Sequence, residues 1–225
     1  MSTDFIFKRI FSYVMAFLFV FFLVFSTAYF QNAKKEYVAL QYFYLVHEDV
    51  YTQAGAMNAY QEGGAAYLLR ENGKDCLALS VYTNEQSAQA VLSMFSYMDK
   101  DVYVIEKRVN ELYFKRKKEK ELSKLYTNGL KSFDECIHVL EECIFNLDKG
   151  LSQEKSREIL KILNRQLQYM GKRYRADFER LSKACFKISE GLTAACGSVI
   201  MANDLRYLLC EMAEQCLLSA KEFSL

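Results

Sequence analysis

Val50-Tyr51-Thr52 and Val81-Tyr82-Thr83 open two copies of one short pattern within the stretch from Tyr42 to Val109. The first copy continues through a helix-like segment to Ala66-Tyr67-Leu68-Leu69. The second continues through Asn84-Glu85-Gln86-Ser87-Ala88, which opens a helix, to Val102-Tyr103-Val104-Ile105. Each copy reads as strand, helix, strand. Two such units give β-α-β-β-α-β, with two helices covering one face of a four-stranded antiparallel sheet.

The turn chemistry supports this order. Val38 to His47 is rich in Tyr, Phe, Val and Leu, a strand composition. Tyr51 to Glu62 reads as a helix stopped by Gly63-Gly64. Ala65 to Glu71 and Asp75 to Tyr82 are strands joined by Asn72-Gly73, whose residues tolerate the positive φ of a type I′ hairpin turn. Asn84 caps the next helix, with an apolar stripe through Ala88, Val91, Leu92, Phe95 and Met98, and Asp101 to Arg108 closes the sheet. The expected fold class is α+β: a ferredoxin-like domain over 36–109, preceded by a short N-terminus (1–9) and an anchor helix (10–30), and followed by an all-α antiparallel three-helix bundle over 110–225.

Ser80-Val81-Tyr82-Thr83-Asn84-Glu85-Gln86-Ser87-Ala88, and more weakly Asp49-Val50-Tyr51-Thr52, carry a family resemblance. The stretch resembles a SPOR (sporulation-related repeat) domain, in which a strand ends Gly-x-Phe or Gly-x-Tyr, then Thr or Ser, a few polar residues and an Ala opening a helix. The resemblance covers about a third of the chain. It implies binding of peptidoglycan, as glycan strands stripped of stem peptides, through the open face of the sheet in cell division or sporulation. The chain departs from the family at His47-Glu48-Asp49, where Gln-x-Gly is usual, and at Ser80, where the second Gly stands. A Gly at such positions lets the backbone bend tightly or a ligand approach closely.

Side chains alternate across a strand, so parity decides which residues meet a ligand. Tyr42, Tyr44 and Val46 share one face, and Phe43, Leu45 and His47 the other. The set with Tyr42 and Tyr44 is assigned to the open face, with Tyr67 and Leu69, or else Leu68 and Arg70, from the next strand. Tyr42, Tyr44, Tyr67 and Ser80 are the expected glycan-binding residues.

Ile10 to Phe30 is a run of 21 residues without a charge, long enough at 1.5 Å per residue to cross a hydrocarbon core of about 30 Å. A cleaved signal peptide has a shorter apolar region, though Ser26-Thr27-Ala28 loosely fits a cleavage site. An uncleaved anchor in a lipid bilayer, with the bulk of the chain extracytoplasmic, is the expectation. Lys8-Arg9 before the run and Lys34-Lys35 after it balance, so charge hardly sets the orientation.

The 225 residues carry a net charge of +1, which gives no global field for nucleic acid. Proline and tryptophan are absent, and the lack of proline favours long uninterrupted helices. Seven cysteines show neither CxxC pairs nor metal-ligand spacing, so they read as buried thiols acting as small hydrophobes. An oxidising compartment would allow a disulfide between C-terminal helices.

In the C-terminal half, Lys115 to Lys120 is a basic run interrupted by acids, read as a solvated helix start rather than an anion-binding patch. Phe133, Ile137, Leu140, Ile144 and Leu147 recur on one helix face, and Gly150 breaks the pattern. Ser152 caps a second helix with an apolar stripe from Ile159 to Ile188. Gly191 is read as its end, followed by a third helix through Met201, Leu205, Leu208, Met212 and Cys216.

Ser152-Gln153-Glu154-Lys155 matches S-x-x-K but lacks the companion motifs of the serine enzymes that use it. His47 and His138 are the only histidines, and no phosphate loop, HExxH or GxSxG occurs. The expectation is a non-enzymatic, glycan-binding protein without cofactor or metal. Its alternative is a degenerate SPOR fold in a scaffold whose helices self-associate or hold a protein partner.

Overall fold

The computed structural model describes residues 33–50, 52–96, 102–150, 152–197 and 199–224. Four strands, β1 (Lys34–Val50), β2 (Tyr67–Glu71), β3 (Lys74–Tyr82) and β4 (Val102–Phe114), form one antiparallel sheet in the order β2-β3-β1-β4. Helix α1 (Gln53–Gln61) joins β1 to β2, and α2 (Glu85–Ser96) joins β3 to β4. Four helices follow: α3 (Lys117–Asp148), α4 (Gln153–Tyr174), α5 (Glu179–Cys196) and α6 (Ala202–Lys221).

Local chemistry sets the boundaries. The Thr52 hydroxyl accepts from the Gly55 N–H and caps α1, and Asn84 Oδ1 accepts from the Ser87 N–H at 2.8 Å to cap α2. Asn72 and Gly73, at φ 49° and 78°, make the two-residue hairpin. The Arg116 N–H donates to Glu119 at 3.0 Å, so the basic run Lys115 to Lys120 opens α3. Ser152 caps α4 through the Lys155 N–H. Its oxygen, at the Ser of S-x-x-K, is occupied by that bond.

The sheet is the middle of three layers. Leu45, Leu77 and Leu79 point to one side and pack with Ala56 and Ala59 of α1 and with Val91, Leu92 and Phe95 of α2. Tyr42, Tyr44, Val46, Leu69 and Ala78 point to the other, where the larger core lies against α3, α5 and α6. The chain end locks this side. The Tyr113 N–H donates to the Phe223 carbonyl at 2.5 Å, and the Phe223 ring stacks on Phe114 at 4.9 Å and meets Tyr126 edge-on at 4.7 Å.

The expected fold class needs correction. The C-terminal half holds four helices, not three, because the chain turns at 175–177, where the Asp177 and Phe178 N–H groups donate to the Tyr174 carbonyl. Gly191 lies inside α5 rather than ending it; a Cβ there would collide with Leu208 of α6. Gly191 is a packing residue, and the break falls after Gly197.

The anchor helix and the membrane placement are corrected too. Residues 10–30 lie outside the described residues, and among the described residues no helix is long and apolar enough to cross a membrane. At 32 residues α3 has the length. Its outer face, however, carries exposed Glu121, Lys124, Lys131, Glu135 and Glu142, so only one stripe is apolar. Among the described residues the structure holds a four-stranded sheet and six helices, none of them a membrane span.

Candidate functional site

Tyr42 and Tyr44 do share a face, as parity requires, but that face is covered. Tyr42, Tyr44 and Tyr67 are 1%, 0% and 7% exposed, beneath the C-terminal helices. None of the three rings is open to a polymer in this arrangement.

Their hydroxyls are used inside the molecule. Tyr42 Oη donates to Asp134 of α3 at 2.6 Å, and Tyr67 Oη donates to Glu214 of α6. Tyr60 of α1 donates to Asp204 at 2.8 Å, and Thr83 Oγ1 to Glu141 at 2.5 Å. In each pair the hydroxyl belongs to the sheet domain and the carboxylate to a C-terminal helix. Such charge-assisted bonds are roughly twice as strong as neutral ones. Burial pushes Tyr42 and Tyr67 well above the ordinary tyrosine range, helped at Tyr42 by Cys216 and then Asp134 and at Tyr67 by Glu214, so both remain donors. Tyr44 is the exception: its buried hydroxyl finds no hydrogen-bond partner among the described residues.

Ser80, also buried, lines a cavity of about 980 Å³ at the seam between the two halves. β1, the end of α1, the end of β3, α2, α3 and the start of α6 converge on it. Leu45, Leu79 and Ala59 form its floor, and Val91, Met94 and Phe95 one wall. Phe145, Glu141, Glu142 and Asp148 of α3 face them, with Asn203 and Arg206 of α6 at the end.

Arg206 fixes this end. It donates to the Gly63 carbonyl at 2.9 Å and pairs with Asp148, tying α1, α3 and α6 together. Glu141 also accepts from the Thr83 N–H at 3.2 Å, which anchors the end of β3 to α3. Sequence reasoning named Ser80 but not the cavity around it, because the lining comes from six separate elements. Val91 and Phe95 of the α2 stripe line it, but exposed Met94 lies off that stripe and gave no sign.

Among the described residues no three His, Cys, Asp or Glu side chains gather as a metal ion would need. His138 sits 3.8 Å from Asp134 on the surface of α3. All seven cysteines are free thiols, five of them buried. Comparison with protein-family models, curated proteins and solved structures finds no match for the chain.

Proposed function

We propose that this protein is a non-enzymatic binding scaffold: a SPOR-like sheet whose ligand side is occupied by its own helices. The observation that carries this reading is the burial of Tyr42, Tyr44 and Tyr67 beneath α3 and α6, two of them hydrogen-bonded to carboxylates there. A glycan strand binds through rings and polar groups that water can reach, and those rings are spent on internal packing. The outer face of α4 supports the partner-binding half of the reading. Ile162 and Tyr169, seven residues apart on one face, are 64% and 61% exposed.

The test is co-sedimentation of the full chain with purified sacculi, before and after an amidase removes the stem peptides. The scaffold reading expects no enrichment in either pellet. Sedimentation that rises after stripping would assign the chain to glycan binding instead, with the helices displaced from the sheet.

A further inference from the structure

The cavity at the seam is a larger space than the packing of the two halves requires, and its lining is not random. Its volume of about 980 Å³ lies at the upper end of the range for small-molecule sites, which sit preferentially where domains meet. Met94 on α2 and Phe145 on α3 stand on opposite lips, 63% and 55% exposed. Large apolar side chains left in water across an apolar floor mark a binding groove rather than a finished core. Methionine suits such a lip because its unbranched chain adapts to what it meets.

The charges at the groove have one predominant sign. Glu62, Glu141, Glu142 and Asp148 line it, against Arg206 as the one Lys or Arg among its described lining residues. Arg206 is already held by Asp148 and the Gly63 carbonyl. Lys149 lies over the Phe145 ring at 3.8 Å, so this lip already carries one cation on its aromatic face.

We propose that this groove binds a small cationic amphiphile, an apolar chain carrying a positively charged head. The chain lies along Leu45, Leu79, Val91 and Phe95 and the head meets Glu141 and Glu142. Apolar burial supplies affinity, and the carboxylates select the sign of the head. An anionic head would face the same carboxylates at like charge. Of the four expected glycan-binding residues only Ser80 lines the groove; Tyr42, Tyr44 and Tyr67 do not, so the groove can bind whether or not the other side of the sheet meets glycan.

The chain has no tryptophan, so Met94→Trp places a single emission reporter on one lip, and Phe145→Trp a second on the other. Tyr169→Trp, on the outer face of α4, is the control. The full chain is titrated with dodecyltrimethylammonium below its micelle concentration, and dodecyl sulfate and dodecyl maltoside are titrated in parallel. A saturable blue shift with the cation at Met94→Trp or Phe145→Trp, and none at Tyr169→Trp, is the expected result. Adding Glu142→Lys, an exposed position, weakens the cation by about threefold to tenfold, the scale of one reversed charge at a partly screened site. Both lip reporters staying silent overturns the site. An equal shift at Tyr169→Trp, equal binding of dodecyl sulfate, or unchanged affinity in Glu142→Lys overturns its chemistry.

Discussion

Tyr42 and Asp134 join the centre of the sheet to the long helix α3: the phenol donates to the carboxylate at 2.6 Å, with the ring 1% exposed. One residue pair farther along the same strand face, Tyr44 is equally buried and its hydroxyl has no partner among the described residues. Two tyrosines of the same parity thus have opposite energetics. A buried hydroxyl bonded to a charged group stabilises, whereas one left unbonded carries its full desolvation cost.

Tyr42→Phe should therefore destabilise the fold by about 1–2 kcal/mol, because it leaves the partly buried Asp134 without its shortest donor. Chemical denaturation measures this. A double-mutant cycle with Asp134→Asn should return a coupling of similar size. Additive effects of the two substitutions would mean that the bond contributes nothing across the interface.

Tyr44→Phe should be neutral or stabilising by up to about 1 kcal/mol, since it removes an unsatisfied hydroxyl and keeps the ring. Lys107 lies 5.7 Å from the centre of that ring, a contact the substitution retains. A loss as large as that of Tyr42→Phe would reveal a partner for the hydroxyl and make the two tyrosines energetically alike.

Much of the sheet was legible because its signals are local. Alternation fixed the parity of Tyr42 and Tyr44, and Asn72-Gly73 announced its own turn. What covers each face is a tertiary fact, and alternation is silent on it. One clue lay in β1 itself: Tyr42-Phe43-Tyr44-Leu45-Val46 is apolar at both parities, the pattern of a strand covered on both sides. The corner at 175–177 had no signal, because Tyr174 and Phe178 continue the apolar stripe at helical spacing without Gly or Pro between them. Gly191 misled for the converse reason: a glycine marks close helix contact as readily as a helix end. The cavity draws residues from six elements, so no window of sequence contained it.

Gly129 tests the close-packing role of the helical glycines. A Cβ at this position of α3 would lie 2.7 Å from Tyr174 Cζ and 3.0 Å from Leu181. Alanine normally gains about 1 kcal/mol over glycine within a helix. Here the tyrosine ring must move, and overpacking costs about 1–3 kcal/mol. Gly129→Ala should therefore be destabilising by about 1 kcal/mol net, read from denaturation midpoints. A stabilised variant would show that Tyr174 yields without cost.

Phe223 tests the lock at the chain end. Its ring stacks on Phe114, touches Tyr126 and is only partly buried, while its carbonyl accepts from Tyr113 in β4. Phe223→Ala removes the ring contacts and leaves the backbone bond. The expected cost is about 2–3 kcal/mol, below the range for a fully buried Phe. Hydrogen exchange should show faster exchange at the ends of α6 and β4. A loss confined to α6, with β4 unchanged, would mean that the ring does not tie the two together.

The thiols set the behaviour at high pH. Burial pushes Cys136 and Cys185 up to about 12 and Cys143 up to about 11, from an ordinary 9.0, and it raises Cys210 and Cys216 too. Tyr42, Tyr44 and Tyr82 are raised by burial as well. In every case the folded protein holds its proton more tightly than the unfolded chain. This contribution to stability is whole below pH 9 and is lost as pH rises from 9 toward 12. Each raised thiol steepens the fall by about 1.4 kcal/mol per pH unit between its unfolded and folded pKa. Melting temperatures should accordingly stay flat from about pH 7 to 8.5 and drop sharply above it. Thiol titration with a chromogenic disulfide at pH 8 gives the matching kinetic picture. Half-buried Cys76 and Cys196 should react in the folded protein, and the five buried thiols only on unfolding. Reaction of all seven at the rate of Cys76 would show that the helices open away from the sheet in the native state.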